Sequence, residues 1–205
     1  MKKGTCLIAA GIVVMGLGIG LMVYNGAQSH RAGLVSAQTA AVLEETVRQT
    51  PPAEPEEQAA ESQILPDYVP EQEPEMPTRQ IDGTIYLGLL EIPKLNLLLP
   101  VIDQCTEGNL KLAPCRYAGA VYQPDFVICA HNYTAHFGSL GSLGLEDAVL
   151  FTDLDGNVFS YTVVSVEVLA PTDVEAMTQS GWDLTLFTCT VGGQNRLAVR
   201  CQLVS

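Results

Sequence analysis

Three hydrophobicity textures follow one another along the chain. The first is a stretch without charge from Gly4 through Ser29, preceded by Lys2 and Lys3. Its apolar part, Cys6 to Tyr24, approaches the roughly 20 residues a helix needs to cross a bilayer and exceeds the roughly 7 to 15 of a secretory h-region. The pattern predicts a signal anchor over residues 6–24, with residues 1–5 cytoplasmic and everything after Tyr24 outside, because the two lysines favour a cytoplasmic N-terminus. A cleaved signal peptide is the competing reading, but the residues near Ala27 make a poor small-x-small site. Gly16 and Gly20 form a GxxxG pair, weak evidence for helix pairing because glycine is common in membrane helices.

The second texture is polar and proline-rich. GLVSAQTAAVLEETVRQT is compatible with a modest juxtamembrane helix, with Leu34, Ala41, Val42 and Val47 only loosely periodic. From Glu44 to Thr78 there are ten acidic residues against one basic, Arg48, and seven of the chain's 12 prolines. Such a segment has too little apolar surface to offset the entropy of ordering it, so residues 25–80 are expected to form a juxtamembrane segment and an extended, self-repelling tether.

From Ile81 to Ser205 the texture becomes short β-rich runs broken by turns. IYLGLLEI, LLLPVI, AGAVYQ, DFVICAH, VLFTDLDGNVFSYTVVSVEVLA, LTLFTCT and RLAVRCQLV are rich in Val, Ile, Leu, Thr and aromatics. LDGN carries a hairpin signal, Asp155-Gly156. EGNLKLAP and GSLGSLGLED allow one short helix or 3₁₀ turn each, and PTDVEAMTQSGW reads as a loop with a helical turn. Seven or eight short strands in residues 81–205 predict a mostly β domain, a closed or nearly closed barrel with one core.

Charge narrows the partners. The net charge is −13, but ten of the 23 acidic residues lie in the tether, leaving 13 against five basic residues from Ile81 onward. No basic patch remains for nucleic acid, and the Pro-Glu tract is a solvated stalk.

The chemistry is concentrated in TLFTCTVGGQNR, residues 185–196. Strand alternation in RLAVRCQLV sends Leu197, Val199, Cys201 and Leu203 to one face and Arg196, Ala198, Arg200 and Gln202 to the other. TVGGQN is a natural hairpin connection, so LTLFTC and RLAVRC pair antiparallel and Cys189 faces Arg196 at the hairpin mouth, Cβ atoms ~5 Å apart. A permanent cation beside a sulfur favours the thiolate and can hold an oxyanion on a carbonyl that the sulfur attacks. Arg200 has the same facing parity but lies farther along the strand from Cys189. Of the three histidines, His30 is juxtamembrane, His131 directly follows the strand DFVICA, and His136 lies in the loop after it. A histidine at a strand end is commonly a structural hydrogen-bonding residue; beside a Cys and an Arg that also end strands, it is a candidate acid or base.

These residues resemble the sortase family. TLFTC matches the signature TLxTC, NRLAVR resembles the arginine segment, AHNY the histidine segment, and LLEIPKLNLLLPVI the early strands, so the likeness spans about Gly83 to Val204. It implies an eight-stranded sortase-type β-barrel over residues 81–205, carried on a single-pass cell-membrane anchor with the catalytic domain outside. The implied enzyme is a cysteine transpeptidase that cleaves an LPxTG-like sorting signal after its threonine. Cys189 would attack the Thr carbonyl, Arg196 would hold the oxyanion, and His131 would protonate the departing amine. The thioacyl enzyme would pass to an amino nucleophile of peptidoglycan or a pilin. Thr188, Ala130 and Asn132 are the implied substrate-binding residues, Thr188 having the alternative role of a β-branched strand residue. Ala130 stands where many relatives have glycine, the Cys-to-Arg loop is short, and the subclass, class B-like or class D-like, is unresolved. No cofactor or metal is implied, and calcium dependence is left open. Two further classes stay open: an exported cysteine peptidase using water as acceptor, and a non-enzymatic surface module with a vestigial site.

The other cysteines have plainer readings. Cys105 and Cys115 flank EGNLKLAP and are placed to close a small disulfide loop in an exported domain. Cys129 and Cys201 lie in apolar strands as small core residues. A zinc site from Cys129, His131, His136 and Cys189 would match no standard finger spacing. In the tether, Leu65-Pro66 repeats the opening pair of a sorting signal and suggests an intramolecular lid.

Overall fold

The computed structural model describes residues 2–49 and 75–204. The tether and its Leu65-Pro66 pair lie outside the described residues. One helix, α1 (Lys2–Gln49), runs unbroken through the change from apolar to polar sequence at Tyr24. Nine strands follow: β1 (Arg79–Ile81), β2 (Thr84–Ile92), β3 (Leu97–Ile102), β4 (Cys115–Ala118), β5 (Phe126–Cys129), β6 (Ala148–Asp153), β7 (Val158–Leu169), β8 (Leu184–Cys189) and β9 (Arg196–Leu203). Two short helices, α2 (Glu107–Leu110) and α3 (Val174–Thr178), and 3₁₀ turns at Pro93–Leu95 and Leu140–Ser142 fill the connections. Both turns of EGNLKLAP and GSLGSLGLED and the helical turn after Pro171 are thus present.

The strand order β1-β2-β3-β4-β5-β8-β9-β7-β6, with β6 also pairing to β2, closes eight strands into a barrel with β1 appended. Closure depends on Gly88, where β2 crosses the seam to Asp153 of β6. A Cβ there would lie 2.1 Å from the Thr152 carbonyl oxygen, so only glycine lets the strands meet. The sequence reading of AGAVYQ as a strand is corrected: β4 is the preceding CRYA. Gly119 adopts φ +69 against the Asp125 carbonyl, a conformation and an approach that suit a turn and would break a ladder.

The LDGN hairpin forms as expected. Asp153 accepts the backbone N–H groups of Asp155 (3.0 Å) and Asn157 (2.8 Å), fixing the turn through Gly156 at φ +86. The interior is apolar: Leu90, Phe126, Ile128, Phe137, Phe151, Leu186 and Val199 are all fully buried in one cluster. Cys201 belongs to it, and Cys129 is buried in a second cluster on the outer side of the sheet.

That second cluster is where α1 docks. Its N-terminal half exposes Leu7, Ile12, Leu17 and Met22, whereas Ala32, Ser36, Ala40 and Leu43 are buried against the barrel. The stripe is offset from the loose periodicity seen in the sequence, and Leu34 and Val42 face outward. The physical reason is size, since alanine, serine and glycine let the helix axis approach. A Cβ on Gly33 would come within 2.9 Å of the Ala135 Cβ. Ser36 Oγ donates to the Leu112 carbonyl at 2.8 Å, and Ser29 Oγ meets Thr134 Oγ1 at 3.1 Å.

Candidate active site

The sheet register brings the predicted residues to one end of two neighbouring strands. In the antiparallel β8–β9 pair, Cys189 is the direct partner of Arg196, the closing pair of the hairpin. Gly192 and Gly193 supply the positive φ of the connection, +87 and +73, and Gly193 N–H donates to the Thr190 carbonyl at 2.8 Å. Partners across an antiparallel ladder share a face, so sulfur and guanidinium stem emerge on the same side.

The histidine arrives from the other flank of β8. Strands β5 and β8 run parallel, with Cys129 beside Phe187, and the ladder extends through a 3.2 Å bond from Ala130 N–H to the Phe187 carbonyl. One further step sets His131 level with Cys189 at the C-terminal ends of both strands. Alternation assigns Thr185, Phe187 and Cys189 to the outer face, away from Leu184 and Leu186 in the barrel interior. The three predicted side chains therefore stand on the outside of the closed barrel.

Around His131 the chain folds back tightly. Phe137 N–H donates to the His131 carbonyl at 3.2 Å, and both His136 and Gly138 N–H groups donate to the Tyr133 carbonyl. The Tyr133 ring lies 4.8 Å from the imidazole, centroid to centroid. Burial holds the His131 pKa below its usual range, opposed by Glu107 and reinforced by Lys111 of the β3–β4 connection. Nε2 is buried and makes no hydrogen bond among the described residues.

Cys189 is half-buried, and its sulfur makes no hydrogen bond to any described residue. Arg196 is half-buried as well, its Nη1 donating only to the Gly193 and Asn195 carbonyls, each at 3.3 Å. Arg200 is a different case at 2% exposure. It donates to Glu167 (2.5 Å), the Ala176 carbonyl (2.6 Å) and Thr185 Oγ1 (2.9 Å), pinning α3 to the sheet. Its donors are committed to the fold, whereas those of Arg196 can exchange a loop carbonyl for a ligand.

The three residues flanking the histidine and cysteine diverge. Asn132 is exposed beside His131. Thr188 and Ala130 are buried, and the Thr188 hydroxyl donates to the Ala130 carbonyl at 2.8 Å, tying the ends of β8 and β5 together. Tyr133, Glu107 and Lys111 were not singled out in the sequence. Tyr133 lies within the AHNY segment, but the other two reach His131 only through the path of the β3–β4 connection, which no local pattern encodes.

Among the described residues no group of three or more His, Cys, Asp or Glu side chains is arranged to hold a metal ion. A cavity of 560 Å³ lined by Met76, Leu87, Asp103, Arg116 and Gln123 lies elsewhere on the barrel and includes none of the three residues.

Residues 90–204 match the family model described as Sortase domain. The chain belongs to the sortase family. It is 27% identical over 121 residues to Sortase A of Bacillus anthracis, a match covering 56% of this chain and 57% of that protein. The chain thus spans little more than half the length of that curated relative. Among solved structures it is similar to Sortase C of Streptococcus pneumoniae, with TM-score 0.61 and 23% identity over 82% of this chain and 97% of that one. It is also similar to sortase C1 of Streptococcus agalactiae, with TM-score 0.54 and 25% identity over 62% and 71%. The Clostridium perfringens Sortase D5 transpeptidase gives TM-score 0.53 and 22% identity over 58% and 79%. The sequence relative is of A designation and the structural neighbours are of C and D designation, so the likeness defines the family and no subclass. The family consists of cysteine transpeptidases, and α1 holds a helical stretch apolar enough to cross a membrane, mean hydropathy 1.7 over its best window with none of it buried.

Proposed function

We propose that this sortase is a membrane-anchored cysteine transpeptidase in which Cys189, His131 and Arg196 carry out acyl transfer on an LPxTG-like sorting signal. The observation that carries the reading is the register: Cys189 opposite Arg196 on one side and level with His131 on the other, all on the outer face of the barrel. A peptide can reach that face without entering the barrel.

The steps follow from the groups. With its pKa below the ordinary range, the His131 imidazole is neutral at pH 7 and can accept the Cys189 proton as the sulfur attacks the threonine carbonyl carbon. The carbonyl oxygen takes up negative charge in the tetrahedral intermediate. Arg196, held only by loop carbonyls, turns its guanidinium to that oxygen. Collapse breaks the C–N bond, His131 returns the proton to the leaving amine, and a thioester remains on Cys189. A second amine, from peptidoglycan or a pilin lysine, attacks the thioester, and the proton path runs in reverse through His131. Splitting one acyl transfer into two lowers each barrier. Placing the catalytic face outside the cell follows from α1 as a single-pass anchor with Lys2 and Lys3 on the cytoplasmic side.

The test is intact-protein mass spectrometry of the full chain with sorting-signal peptides, followed by an added amine. A thioacyl adduct on the wild-type chain that the amine converts to an amide product is expected, and Cys189→Ala should form none. An adduct that persists in Cys189→Ala would move the nucleophile elsewhere, and a product released only by water would make the chain a peptidase.

A further inference from the structure

A second group of thiols sits on the same outer face, one strand away from the nucleophile. Cys129, at the end of β5, is buried, and Cys105, just before α2, is exposed. Their sulfurs are 3.1 Å apart. The sequence spacing suggested Cys105 with Cys115, but the fold turns the Cys115 thiol to the Ala113 carbonyl at 3.5 Å and gives the contact with Cys105 to Cys129.

We propose that Cys105 and Cys129 form a redox pair that closes to a disulfide on meeting a low-molecular-weight disulfide, tying the β3–β4 connection to the strand that leads into His131. The inference is independent of the acyl-transfer reading. It joins two segments that already touch: Leu110 and Leu112 of the connection pack in the same cluster as Cys129. The same connection carries Glu107 and Lys111 within electrostatic range of His131, so the tie would fix a wall of the active site.

The two sulfurs have complementary roles in exchange. Either sulfur can donate in this contact; the contact lowers the pKa of the exposed Cys105 thiol and, with burial, raises that of Cys129. Cys105 is the accessible thiolate. It attacks one sulfur of the small disulfide, that S–S bond breaks, and one small thiol leaves. Cys129 then gives up its proton, its sulfur attacks Cys105 Sγ in the mixed disulfide, and the second small thiol leaves. Two protein thiols are oxidised and one small disulfide is reduced to two thiols. Cys189 stays outside this exchange. It shares the face with Cys129 but is displaced by two residues on the neighbouring strand, a diagonal of about 8 Å that is too long for a bond.

The experiment treats the full chain in detergent with oxidised glutathione, traps free thiols by alkylation and maps crosslinked peptides. No Lys or Arg lies between Arg116 and Arg196, so digestion at acidic residues is needed to separate Cys129 from Cys189. A Cys105–Cys129 peptide is expected, together with a Tm rise of about 8 °C from closing the loop. The Cys115→Ala variant should retain both, and Cys105→Ser, altered at an exposed position, should lose both. A Cys105–Cys115 or Cys129–Cys189 crosslink, or Cys105 left as a stable glutathione adduct in the wild-type chain, would overturn the proposal.

Discussion

At the scale of single residues, two arginines four positions apart on β9 have opposite assignments, and substitution separates them. Arg200 is surrounded by acceptors that lose their donor if it is removed: the Ala176 and Met177 carbonyls, Thr185 Oγ1 and Glu167. Arg200→Ala should cost about 3 kcal/mol of stability, read as a lower Tm. Arg196→Ala removes only bonds to two loop carbonyls, so its Tm should stay near wild type. Its kcat/KM should fall roughly 10²-fold if it holds the oxyanion. The reverse outcome, a destabilised Arg196→Ala with full activity, would exchange the assignments. His131 gives a second prediction. Its pKa lies below the ordinary 6.5, so the neutral imidazole persists below neutrality, and if it accepts the Cys189 proton kcat/KM should fall on the acid side with a midpoint under 6.5. A midpoint above 6.5 in a pH–rate profile would refute this.

At the scale of elements, barrel closure rests on a position that no hydrophobic pattern marks. Gly88 interrupts an otherwise apolar strand because a β-carbon would strike the Thr152 carbonyl across the β2–β6 seam. Gly88→Ala should cost about 3 kcal/mol and broaden or lower thermal unfolding, whereas Gly108→Ala, whose β-carbon would meet nothing closer than Thr106 Oγ1 at 3.8 Å, has no such clash. A Gly88→Ala Tm equal to wild type would mean that the seam can open without cost. The same contrast explains what was legible in the sequence. The β8–β9 hairpin and its Cys189–Arg196 closure were readable because two-residue alternation and a glycine turn fix register locally. The strand β4 was misplaced because CRYA is short and mixed, while AGAVYQ has better β composition but a Gly119 that the Asp125 carbonyl forces into a turn. The Cys105–Cys129 contact was not legible. It joins a loop to a strand across a parallel crossover, and the closer sequence neighbour, Cys115, was the natural expectation.

At the scale of the whole molecule, α1 connects a membrane-compatible half to the loop that follows His131. Between Tyr24, the last of the apolar stretch, and Ala32, the first buried residue, the helix rises only about 12 Å, so a spanning α1 would hold the barrel close to the bilayer surface. The grip includes His136, fully buried with Nε2 3.2 Å from Ser36 Oγ. Burial, with His131 nearby, pushes its pKa from 6.5 down to about 4. Between those values the unfolded chain binds a proton that the folded chain refuses. The stability from keeping His136 neutral is therefore complete above pH 6.5, lost progressively as pH falls toward 4, and amounts to about 3 kcal/mol. Other groups titrate across the same range, so the informative quantity is the difference from His136→Gln, whose amide can keep a bond to Ser36 without taking up a proton. Thermal or denaturant unfolding of both full chains in detergent at pH 7 and pH 4.5 should show the wild type losing about 2 to 3 kcal/mol more than the variant. Equal losses would mean that His136 takes up its proton without penalty and that α1 stays docked through acidification.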